Sequence, residues 1–279
     1  MPNSAAQFLL ADSVRVIGAE LATRQVPNVD CVSLDTKHII AWVKENNLKT
    51  YVKNRYDKTQ QPRGDPDCRL GCKRKHNRTT RARNGIAGST VPVGEYYWGY
   101  GSGAVVAKVP GWGEFVVAEM TQPFDQGDTT YFFPLMSQVD LRLGDRPRYA
   151  TFDAATDRTK CIIEHERGKY VCPLRFPTQT QRACPVRHRN WSRGGCTAEM
   201  PTSIGARLCY TLDRASERYK AIYNQRTAVE RINAQAVALG VERPPLRNGR
   251  AIANQNTLIY TLINLRFLQR VRAGRREND

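Results

Sequence analysis

Three carboxylates stand where a sequence of this kind could do chemistry: Asp35, Asp153 and Glu230. Each aspartate closes a short apolar run that reads as a strand, and side chains at strand ends converge in the crevice beyond a sheet edge. Glu230 lies inside a long helical pattern. Acids from three separate elements can hold two divalent cations roughly 4 Å apart, which activate an attacking oxygen and stabilise a leaving one in phosphodiester chemistry. Magnesium suits such a set because it prefers hard oxygen ligands and keeps several waters. Taken alone, an aspartate after a strand is more often a cap or turn residue. The surroundings of Glu230 strengthen its case. Ile222, Val229, Ile232, Ala236 and Leu239 form an apolar stripe at helical spacing. Tyr223, Arg226 and Glu230 form a second column beside it, which Tyr219 and Asn233 extend. The plain alternative is an ordinary Arg–Glu pair at i, i+4.

Cysteine and histidine form two further groups. Cys68, Cys72 and His76 have the short spacing of zinc ligands, and Cys172, Cys184, His188 and Cys196 make a second candidate set. Thiolate and imidazole are what a tetrahedral zinc site takes. Neither group shows paired CxxC spacing, and reduced, partly buried cysteines are the competing explanation. Cys31, inside a strand, reads as core. The same two segments are basic. From Arg69 to Arg83 there are seven Lys or Arg and no acid, with Lys73, Arg74 and Lys75 consecutive. Arg182, Arg187, Arg189 and Arg193 surround Trp191. Guanidinium groups bind phosphates bidentately, and an indole can stack on an unpaired base.

The whole chain carries that bias. Its 279 residues hold 43 Lys and Arg against 26 acids, a formal net charge of +17. Such an excess points to a polyanionic partner, and nucleic acid comes first. At 41% hydrophobic residues the chain can build a sizeable core. No run approaches the roughly 20 apolar residues of a membrane span. The first residues lack the basic start of a signal peptide. A cytoplasmic location is therefore expected, where cysteines stay reduced.

The elements that must position these residues follow from periodicity and turn signals. Residues 5–24 read as a helix ended by Pro27. A strand from Cys31 runs into Asp35, and Thr36 to Asn46 reads as helical. Tyr51 to Gly88 is polar and loop-like. Two strands flank the Pro110-Gly-Trp-Gly turn, Asp128 caps a helix from Thr129 to about Leu143, and Arg148 to Phe152 is a strand. A second strand pair is expected on either side of Arg167-Gly168. Residues 172–205 read as irregular, Leu212 to Ala238 as one helix, and about Ile252 to Val271 as the last. This order suits an α/β domain with a mixed sheet and two excursions.

Here the motifs resemble a known family. Val32-Ser-Leu-Asp35-Thr-Lys-His, Tyr149-Ala-Thr-Phe-Asp153-Ala-Ala and Tyr223-Asn-Gln-Arg226-Thr-Ala-Val-Glu230-Arg-Ile-Asn look like the catalytic region of DDE transposases of bacterial insertion sequences. The closing run from Pro244 through Asn254-Gln-Asn-Thr-Leu is similar too. The resemblance covers about residues 28–272 and implies a ribonuclease-H-like mixed sheet flanked by helices, carrying two basic, Cys-containing insertions at about 51–100 and 172–210. Residues 1–27 are then an N-terminal helical remnant and 273–279 a charged tail.

The resemblance further implies that Asp35, Asp153 and Glu230 hold two Mg2+ ions and that Tyr223 and Arg226 contact phosphates near the cut. The partners it implies are DNA, as transposon ends and target, and a second copy of the chain in a synaptic complex at the bacterial nucleoid. Such families often carry a Lys seven residues beyond the Glu, where this sequence has Val237. The expected reaction is hydrolysis at an element's end, followed by attack of the freed 3′-hydroxyl on a target phosphodiester. The competing expectation is a truncated, non-catalytic DNA-binding remnant. An RNA-binding or ribosomal module fits the charge but leaves the carboxylates unexplained. Only about one helix precedes Asp35, too little for a helix-turn-helix unit. The expectation is thus a part of a longer transposase, or a truncated copy.

Overall fold

Ten consecutive residues, Cys31–Ile40, form the central strand β1. The computed structural model describes residues 4–27, 29–79, 90–127, 129–144, 147–152, 162–163, 167–171, 197–201 and 216–276. They fall into two units: residues 1–152 with 225–279, and residues 153–224.

In the first unit β1 pairs antiparallel with β3 (Thr90–Val109), with Asp35 opposite Ala104. On its other edge it pairs parallel with β5 (Tyr149–Thr151), where Ser33 faces Thr151. The helix expected from Thr36 is absent, because β1 continues to Ile40 in register with Gly99 of β3. Ile39 and Ile40 suggested one side of a helix, but β-branched residues also suit a strand, and pairing decided. β3 is long enough to serve three neighbours. Its first half pairs with β2 (Arg69–Thr79), and its second half lies between β1 and β4 (Gly113–Pro123). Gly99 marks the handover, pairing with both Arg69 and Ile40. A Cβ there would stand 2.0 Å from the Ile39 carbonyl oxygen, so only glycine fits. The β3–β4 hairpin turns at the Pro-Gly-Trp-Gly sequence as expected, with Gly113 at φ +111°.

Alternation along the strands divides the apolar residues between two cores. Val32, Leu34, Val105 and Ala107 pack with Tyr131, Leu135 and Val139 of helix α2 (Thr129–Leu143). Ile39, Ala104 and Val106 pack on the other side with Ala228, Val229, Ile232 and Ala236 of a later helix. Helices α1 (Ala5–Thr23) and the last one, Gly249–Arg272, lie against each other and against β4. Leu10, Val14, Ile17 and Leu21 of α1 are all buried, so this helix is part of the core of the first unit. Asn264 of the last helix fills a fault in the sheet. The β3–β4 register slips between Val105 and Val106, leaving Val117 with no opposite residue. Beside it, Asn264 accepts from the Val116 N–H (2.7 Å) and donates to the Val116 carbonyl (2.8 Å) and to Ser13 Oγ (2.8 Å).

The segment expected as a loop-like insertion holds β2, and it is anchored in the core. Cys68 and Leu70 are buried, and the Trp98 indole donates to the Arg55 carbonyl (2.8 Å). This overturns the first zinc set. Cys68, Cys72 and His76 follow one another along an extended chain, where four residues span about 13 Å. One zinc ion draws its ligand atoms to within about 4 Å of each other. The Cys68 thiol donates instead to the Asp65 carbonyl (3.2 Å), and burial, followed by nearby Asp65, pushes its pKa up to about 12. Cys31 is a core residue, as expected, with its thiol pushed up to about 12 by burial and then by Asp30. Among the described residues no group of three His, Cys, Asp or Glu could hold a metal ion, and no helix is long and apolar enough to cross a membrane. Cys172, Cys184, His188 and Cys196 lie outside the described residues, as do Cys161 and Cys209.

One buried carboxyl in this unit titrates far from its usual range. Glu119 of β4 accepts from Gln7 Nε2 (2.7 Å) and from the Thr257 hydroxyl. Burial pushes its pKa from 4.5 up to about 7, against the pull of Thr257, Arg142 and Gln7. Between those values the unfolded chain has released a proton that the folded chain keeps. Stability therefore falls as pH rises through that window and levels off above it. Glu119→Gln keeps the accepting oxygen and removes the ionisation. It is expected to abolish this slope and to stabilise the protein by up to about 3 kcal/mol above pH 7. Urea unfolding at pH 5 and pH 8 measures both effects.

The second unit contains a three-stranded antiparallel sheet, β6 (Ile162–Ile163), β7 (Arg167–Val171) and β8 (Thr197–Pro201), in that order. Arg167 and Gly168, expected as the turn of the strand pair, are the first residues of β7, and β8 falls in a stretch expected to be irregular. Helix α3 (Glu217–Tyr223) is capped by Ser216, whose Oγ accepts from the Tyr219 N–H (3.1 Å).

Candidate active site

Asp35 and Glu230 line the same cleft, of about 460 Å³. Asp35 comes from the middle of β1, not from its end as expected, because the strand runs on for five more residues. Glu230 comes from the first turn of α4 (Thr227–Ala238). There the helix N-terminus favours a negative charge.

Four contacts set α4 against the sheet. Ser33 Oγ donates to the Gln225 carbonyl (3.0 Å) while bonding Thr151 Oγ1 (2.8 Å) on β5. Arg231 pairs with the nearly buried Glu114 of β4. Asn233 Nδ2 donates to Asp35 Oδ2 (3.0 Å). Beyond the helix, the Ile40 N–H donates to the Glu242 carbonyl (2.8 Å). The apolar positions of the helix pattern bury Ala228, Val229, Ile232 and Ala236, and this turns Glu230 and Asn233 toward the cleft. The Arg226–Glu230 pair, the plain alternative at this spacing, does form, with Arg226 Nη2 donating to Glu230 Oε1 (2.8 Å). Glu230 is about half exposed, at 51% of its side chain.

The single helix expected over Leu212 to Ala238 is broken. A 3₁₀ turn, Asn224–Arg226, separates α3 from α4. Such a turn winds about three residues per turn in place of 3.6, so the column of one uninterrupted α-helix does not carry across it. Tyr223 belongs to the helix before this turn. It ends α3 in the second unit, where its ring stacks on Tyr219 at 5.8 Å between centroids.

Lys73, expected as a DNA contact, lines the cleft, and periodicity alone missed several residues beside it. Lys73 of β2 faces Glu95 of β3 in register, and both side chains line the cleft. Lys37 of β1 pairs with Glu242 (3.7 Å). Tyr97 completes this wall. Its phenol is held above the usual tyrosine range by burial first, and then by Glu242 and Glu95. The signal that could have found them is strand pairing between residues 69–79 and 90–99, hidden by a polar composition. Arg74 and Lys75 belong to β2. Asp153 and Trp191 lie outside the described residues.

The arrangement offers paired hard oxygen donors beside cationic groups, Lys37, Lys73 and Arg243, in one open cleft. Such a surface suits a phosphate substrate approached with a divalent cation. A family model described as Transposase DDE domain matches residues 86–265. No curated protein and no solved structure matches.

Proposed function

The chain belongs to the transposase DDE domain family, and from that membership we propose that it cuts and joins DNA strands at insertion-sequence ends, with Asp35, Asp153 and Glu230 as its acidic trio. The observation that carries this reading is the convergence of Asp35 and Glu230, from distant parts of the sequence, on one cleft. The sheet supports it as well. β4, β3 and β1 form an antiparallel run, and β5 lies parallel on the far edge of β1, a mixed sheet of the kind expected from the family resemblance. Ser33 and Thr151 are in register. Asp153 lies outside the described residues and enters the trio from the family motif Tyr149-Ala-Thr-Phe-Asp153.

The donor set fits a divalent cation: two carboxylates line the same cleft, and so does Asn233, whose amide oxygen is buried without a partner among the described residues. Asp35 and Glu230 would hold the ions with Asp153. Bound there, Mg2+ would lower the pKa of an attacking water and offset charge on the leaving oxygen. The chain's own groups do the rest. Arg226 fixes the Glu230 carboxylate from the preceding turn, and Lys37, Lys73 and Arg243 draw phosphates to the cleft. Mg2+-dependent nicking of supercoiled plasmid by the intact chain tests the reading. DNA binding without nicking would favour the non-catalytic alternative.

DNA contact extends along the β2–β3 ribbon in this reading, since Lys73, Arg74 and Lys75 stand on β2. Each phosphate contact releases counterions, so affinity falls with salt. Neutralising the three together is expected to flatten the log–log salt slope by up to about three units. Fluorescence anisotropy on a short duplex across a salt series measures it, and an unchanged slope would make the cluster a solvated face.

A further inference from the structure

Asn233 is buried at 9% exposure, and its two amide atoms have unequal fates. Nδ2 donates to Asp35 Oδ2 at 3.0 Å. Oδ1 is buried and has no hydrogen-bond partner among the described residues. The amide cannot be turned round to relieve this, since the carboxylate of Asp35 accepts only and would face another acceptor. A buried amide oxygen left without a donor costs about 1–3 kcal/mol. An apolar residue of the same size would avoid that cost at a position whose helical neighbours, Val229, Ile232 and Ala236, are all apolar and buried. The side chain also borders the cleft shared by Asp35 and Glu230.

We propose that Asn233 is a positioning residue of this site: its N–H sets the rotamer of the Asp35 carboxylate, and its Oδ1 accepts a hydrogen bond from a water that enters with the divalent cation. This rests on the reading of the cleft as a metal-dependent phosphodiester site. Hydrogen-bond partners behind a metal ligand orient it and raise its affinity, and their loss typically weakens metal binding 10–100-fold. Asn233 meets that role from both ends, holding the ligand on one side and the ion's water on the other. It stands three residues beyond Glu230 on the same helix, so one rigid turn carries an acid and the group that orients its partner acid.

The test is Mn2+ binding to the intact chain, followed by electron paramagnetic resonance, with thermal melting in the absence of metal and nicking against Mg2+ concentration. Asn233→Leu is expected to melt at or above the wild-type temperature, to bind Mn2+ 10–100-fold more weakly, and to recover nicking at saturating Mg2+. Asn233→Gln, with the same groups on a longer stem, is expected to recover part of the affinity. If Asn233→Leu does not fold, Asn233→Ser serves, because its short hydroxyl cannot span both partners. A folded Leu or Ser variant with wild-type Mn2+ affinity overturns the proposal and leaves the reading of the cleft intact. Wild-type chain that binds no Mn2+, or binding unchanged by Asp35→Asn, overturns both.

Discussion

Asp35→Asn is expected to lower Mg2+-dependent DNA nicking by at least about a thousandfold, roughly 4 kcal/mol in the barrier, with little change in fold or DNA affinity. The substitution is isosteric and removes one negative charge from the position proposed to hold the ions. The contact to Asn233 survives, because an asparagine at 35 can present its own amide oxygen to Nδ2. Glu230→Gln is expected to behave alike, since Arg226 can donate to the amide oxygen as it now does to the carboxylate. The controls are melting temperature and anisotropy binding in the same buffer. Chelation of the metal should reduce the wild type to the level of the variants. Retained cleavage by either variant would remove that residue from the trio.

The largest expected effect on stability belongs to Asn264→Leu. Asn264 is fully buried and serves both backbone groups of Val116 next to the register slip in β4. Leucine fills the volume but leaves a buried N–H and a buried C=O without partners, at about 1–3 kcal/mol each. The expected loss is about 4 kcal/mol. For a body of this size that corresponds to a melting temperature lower by about 10 °C. The urea midpoint should fall with an unchanged slope, because the surface exposed on unfolding stays the same. A loss under about 1 kcal/mol would mean that water reaches Val116 once the amide is gone.

Elements whose cause is local are the ones that sequence alone reveals here. The β3–β4 hairpin declares itself through a Pro-Gly turn between two apolar runs, and α2 falls on its expected residues, Thr129–Leu143. The last helix begins at Gly249, three residues before the first expected one. The Arg226–Glu230 pair is likewise local, at one helical turn. Features that depend on a partner are not legible. β1 extends past Asp35 because β3 is there to pair with it. Residues 69–79 form a strand although their composition reads as loop, since each pairs with an element that their own pattern does not announce. The spacing of Cys68, Cys72 and His76 is ambiguous in one dimension; an extended backbone separates what a loop could gather. The same cause hides Glu95 and Glu242, which reach the cleft through strand register and a chain return. The break at Asn224–Arg226 carries no proline or glycine, and nothing in the local sequence marks it.

The hydrogen bond between Asn233 and Asp35 closes a separation of 198 residues, which bears on how the protein is born. At ribosomal rates of about 5–20 residues per second, its two ends leave the tunnel roughly 10–40 s apart. Throughout that interval the nascent chain holds β1 and Asp35 but has no Glu230 to share its cleft. Contacts of such long range also form late in folding, after shorter loops have closed. A polypeptide released before α4 is synthesised therefore offers basic surface to DNA without the paired acids. If the cleft cuts DNA as proposed, that ability is delayed until translation has passed its last wall, at Glu242 and Arg243.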